Sequence, residues 1–236
     1  MKKLSVLVIA LFFICPAFAQ DTRAVCIKIN ELNTAVLNGT IKRAEAAKQF
    51  KTLIQIVRGN HPMLKGEVWV FPLQGYQTNA IGGTNGNGYS DKGYNYLDGN
   101  KHTAHPAHDI FITDKNQDDM DDRTGKPVNV LAIDDGIVIA CNNEWAPTST
   151  MRGGKFIWIY HHQLDIISYY AHNRTILVKP GDIVKQGQKI AEVGRTGLNA
   201  YKKRSPTHLH FSAFALNNDL PVPYNPYLQL KQSKKQ

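Results

Sequence analysis

Apolar residues recur with two different periods along this chain. Between Thr22 and Val57 they return every three or four positions, as on one face of a helix, and Asn38-Gly39 interrupts the series. From Ile110 onward, short runs of β-branched and aromatic residues alternate with turn residues, which is typical of strands. We therefore predict a mainly β protein with an antiparallel β-sheet core, preceded by a short N-terminal helical segment.

The predicted strands are short and closely spaced. This leaves no room for the crossover helices that parallel pairing requires, so we expect antiparallel pairing. The runs that predict strands lie at 67–72, 110–112, 128–132, 136–140, 156–160, 166–170, 183–184, 189–193 and 208–214.

The first residues have the order of a signal peptide: Lys2-Lys3, a short apolar run and the small-residue end Ala17-Phe18-Ala19. The run is too short to anchor the chain in a bilayer, and no later stretch is continuously apolar, so we expect an exported protein, periplasmic or secreted, without a membrane span. A lipid anchor on Cys15 is not expected, because Ile14 is not the small residue that lipid attachment requires. The predicted parts are the signal peptide (1–19), a helical segment (20–60), one β domain (61–230) and a basic tail (231–236).

The net charge indicates which binding partners to expect, and the cysteines raise the question of a disulfide. The formal net charge is +9, which suits anionic surfaces such as cell-wall polymers, and no nucleic-acid-binding motif accompanies it. Beyond the signal peptide, Cys26 and Cys141 either form a disulfide or are two buried thiols. The sequence leaves the oligomeric state open, and we expect a monomer. We expect the helical segment to pack against the β domain without a regulatory role. The alternative is that it covers an active-site groove.

Histidine placement indicates chemistry. In a strand, His208 and His210 project from one face while Leu209 and Phe211 face the core. This pattern fits two metal ligands or, equally, two polar residues on the solvent-exposed face of a strand. Upstream, His105 stands four residues before Asp109, so in extended chain the two share a face that His108 does not.

Two histidines and one aspartate would make a three-ligand zinc site whose fourth position is left to water, as in catalytic zinc centres. Hydrolysis then needs a base for the water and a donor for the developing oxyanion. His172, at the end of a predicted strand, is one candidate. Whichever of His208 and His210 is not a ligand is another, and the residues alone do not decide between them.

Four motifs in this order resemble the lysostaphin-type (LytM-like) zinc metalloendopeptidases. The resemblance implies that His105, Asp109 and His210 bind Zn²⁺, and that His172 and His208 act on the water and the tetrahedral intermediate. It also implies an antiparallel β core with a groove walled by loops, and peptide bonds of peptidoglycan as substrates. The motifs, which lie within residues 69–214, are His105-x-x-x-Asp109, Tyr170-Ala171-His172, the segment from Lys179 to Gly197, and His208-Leu209-His210-Phe211.

We therefore predict an exported zinc endopeptidase acting on peptidoglycan stem peptides or cross-links, with 61–230 as its catalytic domain. Alternatives are a non-catalytic cell-wall-binding or activator module, and a zinc amidase. A tyrosine, Tyr94 or Tyr96, is a further candidate to assist the reaction.

The sequence departs from the family pattern at two places. Ala107 and His108 stand where glycine and an apolar residue are common. A longer connection follows Asp109 and carries the acidic run 114–122. Part of this run mimics a calcium loop, but Asp119 replaces the required glycine, so we favour a solvated loop over a calcium site.

Overall fold

The computed structural model describes residues 16–59, 68–101 and 103–236. Most of the predicted signal peptide (1–15), the segment 60–67 and His102 lie outside the described residues. Two long helices come first, α1 (Pro16–Asn38) and α2 (Arg43–Arg58). They are joined at Gly39, whose φ of 67° is the left-handed conformation that glycine adopts without strain. The predicted break at Asn38-Gly39 is confirmed.

Among the described residues, ten strands follow and form two antiparallel sheets. The strands are β1 (His108–Phe111), β2 (Asn129–Leu131), β3 (Gly136–Asn142), β4 (Phe156–His161), β5 (Ile166–Ala171), β6 (Asn173–Ile176), β7 (Ile183–Val184), β8 (Lys189–Val193), β9 (His208–Asn217) and β10 (Leu220–Tyr224). In the seven-stranded sheet the order is β1-β9-β5-β4-β3-β7, with β10 also paired to β9, and the three-stranded sheet has the order β2-β8-β6. A short helix, α3 (Tyr227–Gln232), comes last.

The large sheet buries both of its faces. On one face Leu209 and Phe211 pack into a core shared with the three-stranded sheet. On the other face Trp158 and Phe214 pack in a second core with the two helices, whose buried residues include Phe50. The predicted fold class, a mainly antiparallel β core preceded by N-terminal helices, is confirmed.

Several local predictions need correction. The predicted strand at 67–72 is not a strand among the described residues of that segment, where Val70 makes only an isolated bridge to Lys234. Strand β6 was not predicted, because Asn173-Arg174-Thr175 is polar. Strand β10 was not predicted because it contains two prolines, which an edge strand can accommodate. Residues 234–236 pair with the chain near Trp69: the Lys234 N–H donates to the Trp69 carbonyl over 2.7 Å.

Candidate active site

Three neighbouring strands bring the predicted site residues together. In the register of the large sheet, Asp109 of β1 lies opposite His210 of β9, and His210 lies opposite Ala171 of β5. His172 directly follows β5. Because side chains alternate along β9, His208 and His210 point to the face that carries the helices, as predicted, while Leu209 and Phe211 are fully buried on the other.

A loop supports His105. Its backbone makes a two-way bridge with Ser90, with N···O distances of 2.8 and 2.9 Å. The imidazole Nδ1–H donates to the Gly88 carbonyl over 3.1 Å, which turns Nε2 toward Asp109. The same loop contacts β1 at Gly82, where an added Cβ would lie 2.5 Å from the Phe111 ring. This contact explains why a glycine is needed in the loop.

Three imidazole nitrogens surround one carboxylate oxygen. Asp109 Oδ1 lies 3.1 Å from His210 Nδ1, 3.3 Å from His105 Nε2 and 3.6 Å from His208 Nε2. Burial acts against the charge on Asp109, but hydrogen bonds with His105 and His210 outweigh it and hold the pKa of this carboxyl below its usual range. The hydrogen bond with Asp109 raises the pKa of His105, whereas burial lowers the pKa of His210. The carboxylate is therefore charged at neutral pH.

The donor set fits zinc. Among the described residues, His105, Asp109 and His210 form the one group of three ligand-type side chains whose ligand atoms all lie within 4.8 Å of one another. Two ligands bound about 2.1 Å from a tetrahedral zinc are separated by roughly 3.4 Å. The observed separations of 3.1 and 3.3 Å from Asp109 Oδ1 are close to that value. Two nitrogens and one oxygen are also the donor types that catalytic zinc takes.

His172 is held beside this group in an unusual conformation. Its φ is 66°, which is uncommon for a residue with a Cβ, and its N–H donates to the Gly153 carbonyl over 2.9 Å. The ring Nδ1–H donates to the Thr196 carbonyl over 2.7 Å, so Nε2 carries the lone pair. Burial lowers the pKa of His172, with nearby His208 as a further cause, and the ring is therefore neutral.

His208 is fixed in the same manner. Its Nδ1–H donates to the Pro206 carbonyl over 2.7 Å, and its ring centroid lies 4.9 Å from that of His172. The neighbouring Thr207 hydroxyl donates to Asp114 over 2.6 Å. The carboxylate of Asp114, at the start of the acidic run, also accepts the N–H groups of residues 118 and 119. That carboxylate thus anchors the loop against the segment that carries His208.

Three other features named from the sequence lie outside the cluster of His105, Asp109, His172, His208 and His210. His108 faces away from the site and is buried, with Nε2 bonded to Asn225 Oδ1 at 2.8 Å, which explains a polar residue where the family has an apolar one. Cys26 and Cys141 are free thiols, and burial raises the pKa of each to about 11. In the part of the chain that is described, no group of three acidic side chains in the run 114–122 could hold a metal ion.

Several site residues were not predicted. A cavity of about 280 Å³ begins at the histidine cluster and extends to helix α1, and it is lined by Asn33, Arg152 and Tyr169. Tyr94 and Tyr96, named above as candidates to assist, also line it. Only Tyr169 left a signal in the sequence, because strand alternation places it on the same face as the site. The contact with α1 joins positions too far apart in sequence to be read from a pattern.

Comparison with known proteins shows to which family this chain is similar. The model of peptidase family M23 matches residues 117–222, a range that contains His172, His208 and His210 but begins after His105 and Asp109. The Murein hydrolase activator NlpD of Escherichia coli is 40% identical over 82 residues, which are 35% of this chain and 18% of that protein. This chain thus spans less than a fifth of that relative's length.

Two further matches are similar in kind. The Lipoprotein NlpD of Yersinia enterocolitica is 34% identical over 87 residues, covering 37% of this chain and 75% of that protein. The catalytic domain of the antimicrobial peptidase lysostaphin from Staphylococcus simulans aligns with a TM-score of 0.39 and 25% identity, covering 57% of this chain and 81% of that structure. The chain belongs to peptidase family M23, and the predicted family resemblance is confirmed.

The predicted export is confirmed as well, since several of the relatives are named lipoproteins, one of them of the outer membrane. Within the described ranges no helix has both the length and the apolar character needed to cross a membrane. Cys15, for which no lipid anchor was expected, lies outside those ranges.

Proposed function

We propose that this protein is an exported zinc metalloendopeptidase that hydrolyses peptide bonds in peptidoglycan stem peptides or cross-links. One observation carries the proposal. The three ligand-type side chains His105, Asp109 and His210 share one cavity with His172 and His208, whose rings are both oriented by backbone carbonyls. A chain without catalytic activity would not require that second pair to be oriented toward the cluster.

His105, Asp109 and His210 would hold the zinc. When bound, the metal supplies Lewis acidity, which lowers the pKa of a water and polarises the scissile carbonyl. The Nδ1–H groups of His172 and His208 are held by backbone carbonyls, so Nε2 is the nitrogen that can accept a proton in each ring. One of them takes the proton of the attacking water and passes it to the leaving nitrogen. The other, with a proton taken from solvent on its Nε2, donates a hydrogen bond to the oxygen that becomes negative in the transition state.

The experiment separates ligands from proton carriers. Zinc content of the purified protein is measured by elemental analysis, beside the release of soluble fragments from purified peptidoglycan with and without a chelator. Asp109→Ala and His210→Ala should lose both zinc and release. His172→Ala and His208→Ala should keep about one zinc per chain and lose release. Loss of zinc from His208→Ala, with retention by His210→Ala, would reverse the assignment within the pair.

Two other functions remain as outcomes of the same experiment. An endopeptidase frees an amino and a carboxyl group within the peptides and leaves the sugar–peptide link intact, whereas an amidase frees the lactyl carboxyl of the sugar together with the amino group of the first peptide residue. The matched relative is named a murein hydrolase activator, which favours a non-catalytic activator as the second candidate. An activator would release nothing alone at any zinc content, and would increase release by an added amidase.

A further inference from the structure

The cavity beside the histidine cluster has a wall built by the N-terminal segment. Its volume is about 280 Å³, near the lower end of the roughly 300–1,000 Å³ that small-molecule sites occupy. His105 and Asp109 lie along it, and so do Asn33 of α1 and Tyr96, which begins the short 3₁₀ segment Tyr96–Lys101. A peptide bound at the cluster can therefore extend toward the helices. We call the part next to α1 the helix pocket, defined by Asn33, Tyr96, Arg152, Trp158 and Phe214.

Two polar atoms of the helix pocket are buried without a protein partner. Asn33 is 3% exposed and Tyr96 is 6% exposed. Neither the Asn33 Nδ2 nor the Tyr96 hydroxyl has a hydrogen-bond partner among the described residues. A buried donor left unsatisfied destabilises the fold, and both side chains line the cavity, so a rotation of these side chains would let a ligand acceptor satisfy the donors.

The charge of the wall indicates which acceptor. Among the described residues that line the cavity, Arg152 is the one lysine or arginine and Asp109 is the one carboxylate. Asp109 already faces three imidazoles. The backbone of Arg152 lies next to His172, because an added Cβ at Gly197 would contact both the Arg152 carbonyl and the His172 ring. The wall therefore combines a guanidinium with two neutral donors, which together favour an anionic oxygen ligand.

Between these donors the walls are aromatic. Trp158 and Phe214 stack with ring centroids 5.1 Å apart and planes inclined by 4°, and Tyr94 lies 5.3 Å from Phe214. Such walls accept the aliphatic part of a side chain, and the polar atoms fix its orientation.

We propose that the helix pocket is a specificity subsite for a peptide residue with a free carboxylate, bound by Asn33 Nδ2, the Tyr96 hydroxyl and Arg152. This inference rests on the proposed function, because it places the peptide substrate across the zinc cluster. The carboxylate is either a chain terminus or an acidic side chain. The N-terminal helix thus contributes directly to substrate choice.

The test is calorimetric binding of short peptides to the full chain in the His172→Ala background, which prevents turnover. The probes are acetyl-trialanine with a free C-terminus, its C-terminal amide, and two amidated peptides with a central glutamate or glutamine. Binding is measured with zinc and after chelator treatment, so that a carboxylate held by the metal is distinguished. We expect at least one carboxylate peptide to bind about tenfold more tightly than its amide, with or without zinc.

Variants locate the effect. Arg152→Gln should abolish the preference for carboxylate, and Asn33→Leu and Tyr96→Phe should each weaken binding about tenfold. The matched controls, Arg174→Gln and Tyr224→Phe, do not line the cavity and should stay within twofold. Equal binding of acid and amide by the parent protein, or unchanged binding by the folded variants, would overturn the inference and indicate that water satisfies these donors.

Melting temperature checks the fold of each variant, and the acid-against-amide comparison on the parent protein stands even if a variant does not fold. Failure of the proposed function is recognised separately. Carboxylate preference without any peptidoglycan release means that the pocket serves a binding module. Release without carboxylate preference refutes the helix pocket alone.

Discussion

Gly197 contacts His172, and Gly197→Ala should abolish the proposed peptidase activity without releasing the proposed zinc. The φ of Gly197 is +120°, and an added Cβ would lie 2.4 Å from the Arg152 carbonyl and 2.8 Å from His172 Nδ1. Both separations are shorter than real Cβ contacts. The backbone oxygen has little freedom to move, so we expect the imidazole to be displaced from the Thr196 carbonyl.

The expected effect of Gly197→Ala has two parts, a loss of stability and a loss of catalytic rate. A residue with a Cβ in a left-handed conformation costs about 1–2 kcal/mol of stability. Gly93→Ala is the matched control, since its φ is +81° and nothing lies within 4 Å of the added Cβ. Displacing a catalytic group by about 1 Å costs roughly a hundredfold in rate. Gly197→Ala should therefore lose at least that factor, whereas Gly93→Ala should lose stability alone.

Three measurements separate these effects: fragment release from peptidoglycan, zinc content, and the ¹⁵N shifts of the His172 ring. In the parent protein the shifts should indicate the tautomer protonated at Nδ1, and in Gly197→Ala this signature should weaken. Full activity of Gly197→Ala, or an equal loss of activity in Gly93→Ala, would refute the role assigned to the steric contact.

Two predictions concern stability. His161 is fully buried with its pKa lowered to about 4 by burial, so its contribution to stability should be lost as pH drops from 6.5 to 4, with no further loss from this residue below pH 4. The difference from its usual value limits this loss to roughly 3 kcal/mol, and His161→Gln should remove it in urea titrations across that range. Arg58, 29% exposed, pairs with Asp165 and Asp219, so Arg58→Ala should cost about 1–3 kcal/mol of unfolding free energy. The exposed pair of Arg43 should contribute less than about 1 kcal/mol, and an equal loss in Arg43→Ala would contradict this ranking.

The sequence predicts those parts of the fold that depend on local pattern. Strand alternation in β9 places His208 and His210 on one face, and helical periodicity finds α1 and α2. Strand β10 escapes the pattern because its prolines are acceptable only at a sheet edge, which the sequence alone does not reveal.

The site is predictable to the same extent. Extended-chain geometry predicts that His105 and Asp109 share a face, but their approach to 3.3 Å depends on a turn in which the Ala107 N–H donates to the His105 carbonyl. The backbone carbonyl that orients His172 belongs to Thr196, on a distant segment, and Asn33 reaches the cavity only through the packing of α1 on the sheet. Such contacts are set by tertiary structure, so no local pattern encodes them.

In strand β9, alternate residues serve the site and the core: His208 and His210 face the cavity, and Leu209 and Phe211 face the core. Because a shift of one position exchanges the faces of a strand, an insertion or deletion of a single residue here would turn the histidines into the core and Leu209 and Phe211 into the cavity. Such a change would destroy fold and chemistry together. Within this strand, a relative can lose either histidine and remain folded only by point substitution, which leaves the length of the strand unchanged during divergence.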